Sequence, residues 1–124
     1  VTPLDTAKWA LGCKRAWQPS KTMSNFSTRW PNLKGEIIYK NNKDKVIKLL
    51  NSSKPIIYNC APCEGKNKNG GLKTYNGHYI VLTGISGNII SVNDPGANEE
   101  KRIMSMTTDQ FDSGYKVAVY IDKK

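Results

Sequence analysis

The sequence predicts an α+β domain in which helices pack against one side or end of an antiparallel sheet. Two observations support this fold class. Apolar residues recur at helical spacing near the N-terminus and again over residues 42–53, whereas short runs rich in β-branched residues follow, bounded by Gly, Asn and Pro. A length of 124 residues is typical of one domain with a single core, so we expect residues 1–124 to form one domain.

Three helices are predicted in the first half of the chain. The segment VTPLDTAKWALGCKRAW begins with Thr2 as a helix cap and Pro3 at the first helical position, and its apolar residues then follow helical spacing. A shorter helix is predicted over KTMSNFSTRWP. The third covers NKDKVIKLLNSS, where Val46, Leu49 and Leu50 are expected on the buried side.

Five strands are predicted to form the sheet: Glu36–Lys40, Pro55–Cys60, His78–Gly84, Asn88–Asp94 and Tyr115–Asp122. Before the last strand, TTDQFDSG predicts a short capped helix. The segment Ala61–Asn76 is rich in Gly, Asn and Lys, which predicts a long, polar, mobile loop.

The third and fourth strands are predicted to form a hairpin around a three-residue loop, Ile85–Gly87. The opposite pairs are then Leu82 with Ile90, Ile80 with Val92, and His78 with Asp94. Opposite residues have Cβ atoms roughly 4.5–5.5 Å apart, so His78 and Asp94 are predicted to lie within hydrogen-bond reach. A register shifted by one residue would make Asn93 the better partner of the imidazole.

A histidine beside a carboxylate is an arrangement that supports acid–base chemistry. The carboxylate accepts a hydrogen bond from one ring nitrogen and stabilises the protonated ring, which leaves the other nitrogen free as a base. His78 is the single histidine of the sequence, it follows Gly77, and an Asp-Pro-Gly turn holds Asp94. These features favour a catalytic pair, and a cross-strand salt bridge without catalytic function is the alternative.

The segment GHYIVLTGISGNIISVNDPG resembles the histidine and aspartate motifs of the C39-like cysteine peptidases, a branch of the papain-like fold. In addition, VTPLDTAKWA is similar to a helix of such domains, and KDKVIKLLNSSKPIIYNC to the helix and strand that precede their histidine loop. The resemblance implies a papain-like α+β fold with His78 as the general base and Asp94 as the residue that orients it. It implies no cofactor and no metal.

The nucleophile of that family is a cysteine in a Gly-Cys-Gly-Pro segment, with a glutamine just upstream, and this sequence contains no such segment. The resemblance implies that it would precede Val1. We therefore expect the first helix of the fold and its cysteine to lie upstream of this chain or on a companion chain, and loss of the cysteine is the alternative. A chain without that helix is expected to dimerise, to aggregate or to bind the missing segment.

The three cysteines of the chain fit the nucleophile poorly. Cys13 lies near the end of its predicted helix, where the helix dipole disfavours a thiolate, so a buried apolar role is favoured over catalysis. Cys60 and Cys63 stand in a Cys-Ala-Pro-Cys motif that resembles a redox motif, but EGKNKNGG follows it instead of a helix. A zinc site lacks two ligands, which favours a loop disulfide or two free thiols.

The formal net charge of +9 favours an anionic partner. The basic residues are spread along the chain, so a solvated basic surface is the simpler interpretation. No run approaches the roughly 20 apolar residues of a membrane span, and none is predicted.

The resemblance implies a cysteine hydrolase that acts on a peptide or on peptide crosslinks of a cell wall, in a secreted or wall-associated setting. The chain without its nucleophile is expected to be inactive. The alternative is a non-catalytic binding or regulatory module of the same fold, which retains His78 and Asp94 as scaffold and binds an anionic polymer through its basic surface.

Overall fold

The structure is a computed structural model that describes residues 31–94 and 98–123. This part contains β1 (Leu33–Tyr39), β2 (Ile56–Cys60), β3 (Cys63–Lys66), β4 (Leu72–Tyr75), β5 (His78–Ser86), β6 (Ile89–Asn93), β7 (Ser105–Thr107) and β8 (Tyr115–Lys123). It also contains helices α1 (Asp44–Asn51) and α2 (Thr108–Gly114), and 3-10 turns at Lys40–Asn42 and Glu99–Lys101. The first two predicted helices, Cys13 and the turn after Asp94 lie outside the described residues.

The eight strands form one sheet in the order β1-β8-β2-β5-β6-β7-β3-β4, and each neighbouring pair is antiparallel. The antiparallel α+β architecture predicted from the sequence is therefore present in the described part. The five predicted strands correspond to β1, β2, β5, β6 and β8, with boundaries that coincide or differ by at most three residues.

Both described helices pack against the same core. In α1, Val46 and Leu50 are buried and Leu49 packs beside them, as the helical spacing predicts. In α2, the side chain of Thr107 accepts a hydrogen bond from the Gln110 N–H, and the Gln110 side chain accepts one from the Thr107 N–H. This capping box begins a helix of seven residues.

The predicted loop over Ala61–Asn76 is wrong, because this segment forms the hairpin of β3 and β4. In β3, Cys63 and Gly65 are buried and alternate with less buried residues, which is the pattern of a strand with one face in the core. The strand is completed by a distant partner, since Lys66 pairs with Ser105 of β7. The Gly, Asn and Lys content of this segment favours a loop, but pairing with β7 stabilises a strand in its place.

The predicted register of the β5–β6 hairpin is also wrong. The strands turn through two residues, Gly87 and Asn88, so Ser86 lies opposite Ile89. Gly87 has a φ of 60°, which suits the first central position of a tight hairpin turn. The predicted three-residue loop placed glycine at its end, whereas the backbone needs glycine at the start of the turn.

A β-bulge in β5 changes which residues of β5 and β6 share a face of the sheet. Between Leu82 and Gly84 the register shifts by one residue, so Thr83 is the additional residue and Leu82 lies opposite Val92. Without this shift, Leu82 would lie opposite Asn93, and the side chain of His78 would share a face with Asn93. The bulge places His78 on the same face as Asp94 instead.

Candidate active site

His78 is the first residue of β5, and it lies opposite Cys60, the last residue of β2. The β5 strand is flanked by β2 and β6 in the centre of the sheet, so the backbone of His78 is held on a rigid element. The side chain of His78 is 22% exposed, whereas that of Asp94 is 1% exposed. The imidazole is therefore accessible from solvent while the carboxylate beside it is not.

The Nε2–H of His78 donates a hydrogen bond of 2.8 Å to Oδ1 of Asp94. The predicted contact is confirmed, although it forms differently from the direct pairing expected. If the observed register is continued by one residue, Asp94 lies opposite Ile80, and His78 is its diagonal neighbour on the same face. Asn93, the alternative partner, lies opposite Val81. Catalytic roles for His78 and Asp94 remain predictions.

The second carboxylate oxygen of Asp94 is also bound. The backbone N–H of Ile103 donates a buried hydrogen bond of 3.0 Å to Oδ2. Asp94 follows β6 and Ile103 precedes β7, so this bond joins the two ends of the connection between these strands. With one oxygen held by Ile103, the other is oriented towards the imidazole, which fixes the position of the carboxylate.

Tyr75, the last residue of β4, stacks on the imidazole of His78 and was missed in the sequence. The ring centroids are 4.6 Å apart and the planes are 25° apart. Its hydroxyl donates a hydrogen bond to the backbone carbonyl of Lys101. Burial, and secondly the negative charge of Asp94, raise the pKa of the Tyr75 phenol above its usual value. The feature of the sequence that could have indicated this contact is a tyrosine three residues before the histidine.

Cys60 and Cys63 form a disulfide that links the end of β2 to the start of β3. Both cysteines are buried. Of the alternatives that the sequence left open, the structure has the loop disulfide, and it lies beside the strand pair that carries His78. The disulfide joins this pair to the β3–β4 hairpin, from which Tyr75 extends.

Three further features concern residues 31–94 and 98–123. No group of three or more His, Cys, Asp or Glu side chains there could hold a metal ion. Within the same ranges, no helix combines the length and the apolar composition of a membrane span. A separate cavity lies at β1 and β8, where it is lined by Lys34, Gly35, Glu36, Lys45, Tyr120 and Asp122. None of these residues belongs to the His78 site.

The family model described as "Peptidase_C39 like family" matches residues 6–121 of the chain. The chain belongs to this family. The match covers the His78 and Asp94 positions and most of the described strands, in agreement with the resemblance found in the motifs around them. Among curated proteins, none has a sequence that matches the chain.

Two solved structures are similar to the C39-like chain. One is a protein from Bacillus anthracis assigned as a C39-like peptidase, with a TM-score of 0.55 and 16% identity over 82% of this chain and 57% of that one. The other is a double glycine motif protease from an AMS/PCAT transporter, solved in complex with the leader peptide. Its TM-score is 0.52 and its identity 16%, over 100% of this chain and 74% of that one. At this identity the likeness concerns the fold.

Proposed function

We propose that this chain supplies the general base and the orienting carboxylate of a cysteine peptidase, with His78 and Asp94 in these roles. The nucleophile is a cysteine thiolate from a segment upstream of Val1. One observation carries most of the support, namely the 2.8 Å hydrogen bond from Nε2 of His78 to Oδ1 of Asp94 in a chain of the C39-like family.

The proposed chemistry takes place at Nδ1 of His78, because Nε2 is occupied by Asp94. The thiol proton moves to Nδ1, which forms a thiolate and an imidazolium that Asp94 stabilises. The sulfur attacks the scissile carbonyl carbon and forms a C–S bond, and Nδ1–H donates its proton to the leaving nitrogen as the C–N bond breaks. Water then attacks the thioester and gives a proton to Nδ1, and the C–S bond breaks to regenerate the ion pair.

The burial of the two partners fits these roles. A carboxylate whose side chain is 1% exposed is little screened by salt and meets little competition from water for the imidazole N–H. The imidazole is 22% exposed and can meet a substrate. The hydrogen bond from Ile103 to Asp94 holds the carboxylate in place before the substrate arrives.

The proposed substrate is a peptide or a peptide crosslink of a cell wall, and the proposed location is secreted or wall-associated. The AMS/PCAT protease was solved with a leader peptide, which supports the peptide class by analogy. The Cys60–Cys63 disulfide supports an oxidising compartment, since disulfides persist there and are rare in the cytosol.

Thiol alkylation of the full-length protein tests the proposal. At about pH 6 a cysteine with an ordinary pKa near 8.5 is almost entirely protonated and reacts slowly with iodoacetamide. We expect rapid alkylation of one cysteine upstream of Val1, identified by peptide mapping, and a decrease of orders of magnitude in His78→Ala. Thr74→Ala changes an exposed residue of β4, the strand that precedes β5 in the chain, and serves as the matched control.

Two results would contradict this assignment. Alkylation of the upstream cysteine at an equal rate in His78→Ala and in Thr74→Ala would remove His78 as the base. Rapid, His78-dependent alkylation of Cys13 would place the nucleophile within the present chain and not upstream of it.

The competing proposal is a binding module for an anionic polymer, which the net charge of +9 favours. Such a module binds a polyanion such as teichoic acid with an affinity that falls steeply with salt, and His78→Ala leaves this affinity unchanged. Salt-dependent binding together with an absence of rapid alkylation would support the module over the peptidase.

A further inference from the structure

We propose that Tyr75 is a positioning residue for both members of the His78–Asp94 pair, an inference that rests on the proposed peptidase function. Tyr75 contacts the imidazole through its ring and the segment that anchors Asp94 through its hydroxyl. Within the described residues, the Tyr75 side chain thus links the orientation of the His78 ring to the position of the Asp94 carboxylate.

The stacked ring restrains a motion that Asp94 leaves free. A single hydrogen bond from Nε2 to Asp94 determines which nitrogen faces the carboxylate, but the imidazole can still rotate about that bond. Tyr75 lies against the imidazole with planes 25° apart, in the range of stacked aromatic pairs, and thereby sets the tilt of the ring. The direction in which Nδ1 points is defined only when both contacts are present.

The hydroxyl of Tyr75 acts on the other partner. It donates to the carbonyl of Lys101, two residues before Ile103, whose N–H binds Oδ2 of Asp94. Asn67 supports the same segment, because its side-chain amide donates to the carbonyl of Glu100 at 2.8 Å. The β3–β4 hairpin therefore holds the 100–103 segment at two points and, through Ile103, the carboxylate.

The phenol remains a donor under physiological conditions. Burial, and then the charge of Asp94, raise the pKa of Tyr75, so the hydroxyl keeps its proton well above neutral pH. Loss of the proton would place a phenolate against the Lys101 carbonyl, which is an acceptor.

NMR of the full-length protein tests the positioning role, and the ring signals of His78 are assigned as those that disappear in His78→Ala. In Tyr75→Leu we expect the ring protons of His78 to move downfield, because the ring current of the stacked tyrosine is lost. A ring that is free to tilt keeps the Nε2–H hydrogen bond to Asp94 less well, so the 15N shifts of Nε2 and Nδ1, which are distinct while Nε2 carries the proton, are expected to converge. In Tyr75→Phe the stack remains and the His78 signals are expected to stay in place.

The hydroxyl is tested separately by amide hydrogen exchange. In Tyr75→Phe we expect faster exchange of the Ile103 N–H, because Lys101 loses its anchor while the ring stays. The control is Tyr39→Leu, at a 61% exposed position of β1, where neither the His78 signals nor Ile103 exchange should change.

The proposal is overturned if Tyr75→Leu leaves the His78 ring signals as they are in the wild-type chain. If Tyr75→Leu does not fold, Tyr75→Phe decides, and unchanged Ile103 exchange there also overturns it. These readouts require no hydrolysis, so a chain that cleaves no peptide would contradict the peptidase function and leave the geometric role of Tyr75 to be judged by NMR.

Discussion

Asp94 uses its two carboxylate oxygens for two different elements, and this explains why the position carries an aspartate. Oδ1 accepts from Nε2 of His78, and Oδ2 accepts from the N–H of Ile103. An asparagine accepts at its oxygen and donates at its nitrogen, so it can satisfy one of these donors but not both. The carboxylate is the group that pairs with His78 and is held by Ile103 at the same time.

Asp94→Asn is therefore expected to lower the free energy of unfolding by about 1–3 kcal/mol, which is the typical effect of leaving a buried donor without an acceptor. Urea denaturation monitored by fluorescence measures the change. Asp109→Asn makes the same chemical substitution at an exposed position in the first turn of α2 and is the control. Equal stability of the two variants would show that the Ile103 N–H does not depend on a carboxylate.

The pair itself could be predicted from the sequence, but its surroundings could not. His78 and Asp94 stand at the ends of two apolar runs, and the alternation of a hairpin brings such residues together. Ile103 contributes a backbone N–H, which no side-chain pattern reveals. Tyr75 lies in a segment whose composition predicted a loop, so its approach to His78 depends on pairing that is not local.

At the scale of elements, β3 packs closely against the segment that leads into β7. A Cβ placed on Gly65 would collide with the carbonyl oxygen of Ser105 and with the side chain of Ile103. The glycine thus lets β3 approach the residue whose N–H binds Asp94. The close contact at Gly65 therefore involves Ile103, which is also part of the candidate site.

Gly65→Ala is expected to lower the free energy of unfolding by about 1–3 kcal/mol, because one of the two colliding atoms is backbone and the crowding is relieved only by moving a strand. Gly84→Ala is the matched variant in β5, where no atom lies within 4 Å of the added Cβ. Chemical denaturation should separate the two, and a Gly65→Ala chain as stable as Gly84→Ala would disprove the close packing.

The elements that the sequence did not predict share one physical property. β3, β4 and β7 have three or four residues each, β3 and β7 pair with each other across a long stretch of sequence, and β4 pairs, within the described part of the chain, only with β3. By contrast, α1 carries its own amphipathic pattern and α2 its own capping box, so both were predictable locally. The position of the β5–β6 turn was mispredicted because two arrangements of the Ile-Ser-Gly-Asn segment are compatible with a hairpin.

At the scale of the whole molecule, two buried tyrosines join segments that are far apart in the sequence. The Tyr58 hydroxyl donates to the Phe111 carbonyl at 2.6 Å, and the Tyr115 hydroxyl donates to the Ile38 carbonyl at 2.6 Å. Their rings also pack with Phe111. Burial raises the pKa of both phenols, and for Tyr58 the nearby Tyr115 and Asp112 add to the increase.

These shifts predict that stability falls in alkaline solution. Tyrosines of the unfolded chain lose protons near their ordinary pKa of about 10, whereas the folded chain retains them, so the free energy of unfolding decreases as the pH rises above about 10. Between pH 9 and 11 each such tyrosine contributes a loss of about 1.4 kcal/mol. Urea titrations at both pH values measure it.

Tyr58→Phe should reduce this alkaline loss by about 1.4 kcal/mol, since the variant removes one phenol whose ionisation is suppressed by folding. Tyr39→Phe, at an exposed position of β1, should show the full loss. Identical pH dependence in both variants would mean that Tyr58 does not link folding to proton binding.

Side chains alternate between the two faces of the sheet along β5 and β6. The effect of an insertion or deletion on the His78 site therefore depends on the position at which it occurs. Loss of the codon for Thr83 would remove the bulge and leave Leu82 opposite Val92, so His78 would still face Asp94. Loss of one codon between His78 and Leu82 would turn His78 to the opposite face, towards Asn93. The consequence of a one-residue deletion in this hairpin therefore depends on whether it removes the bulged residue or lies between the bulge and His78, even where every residue of the site is retained.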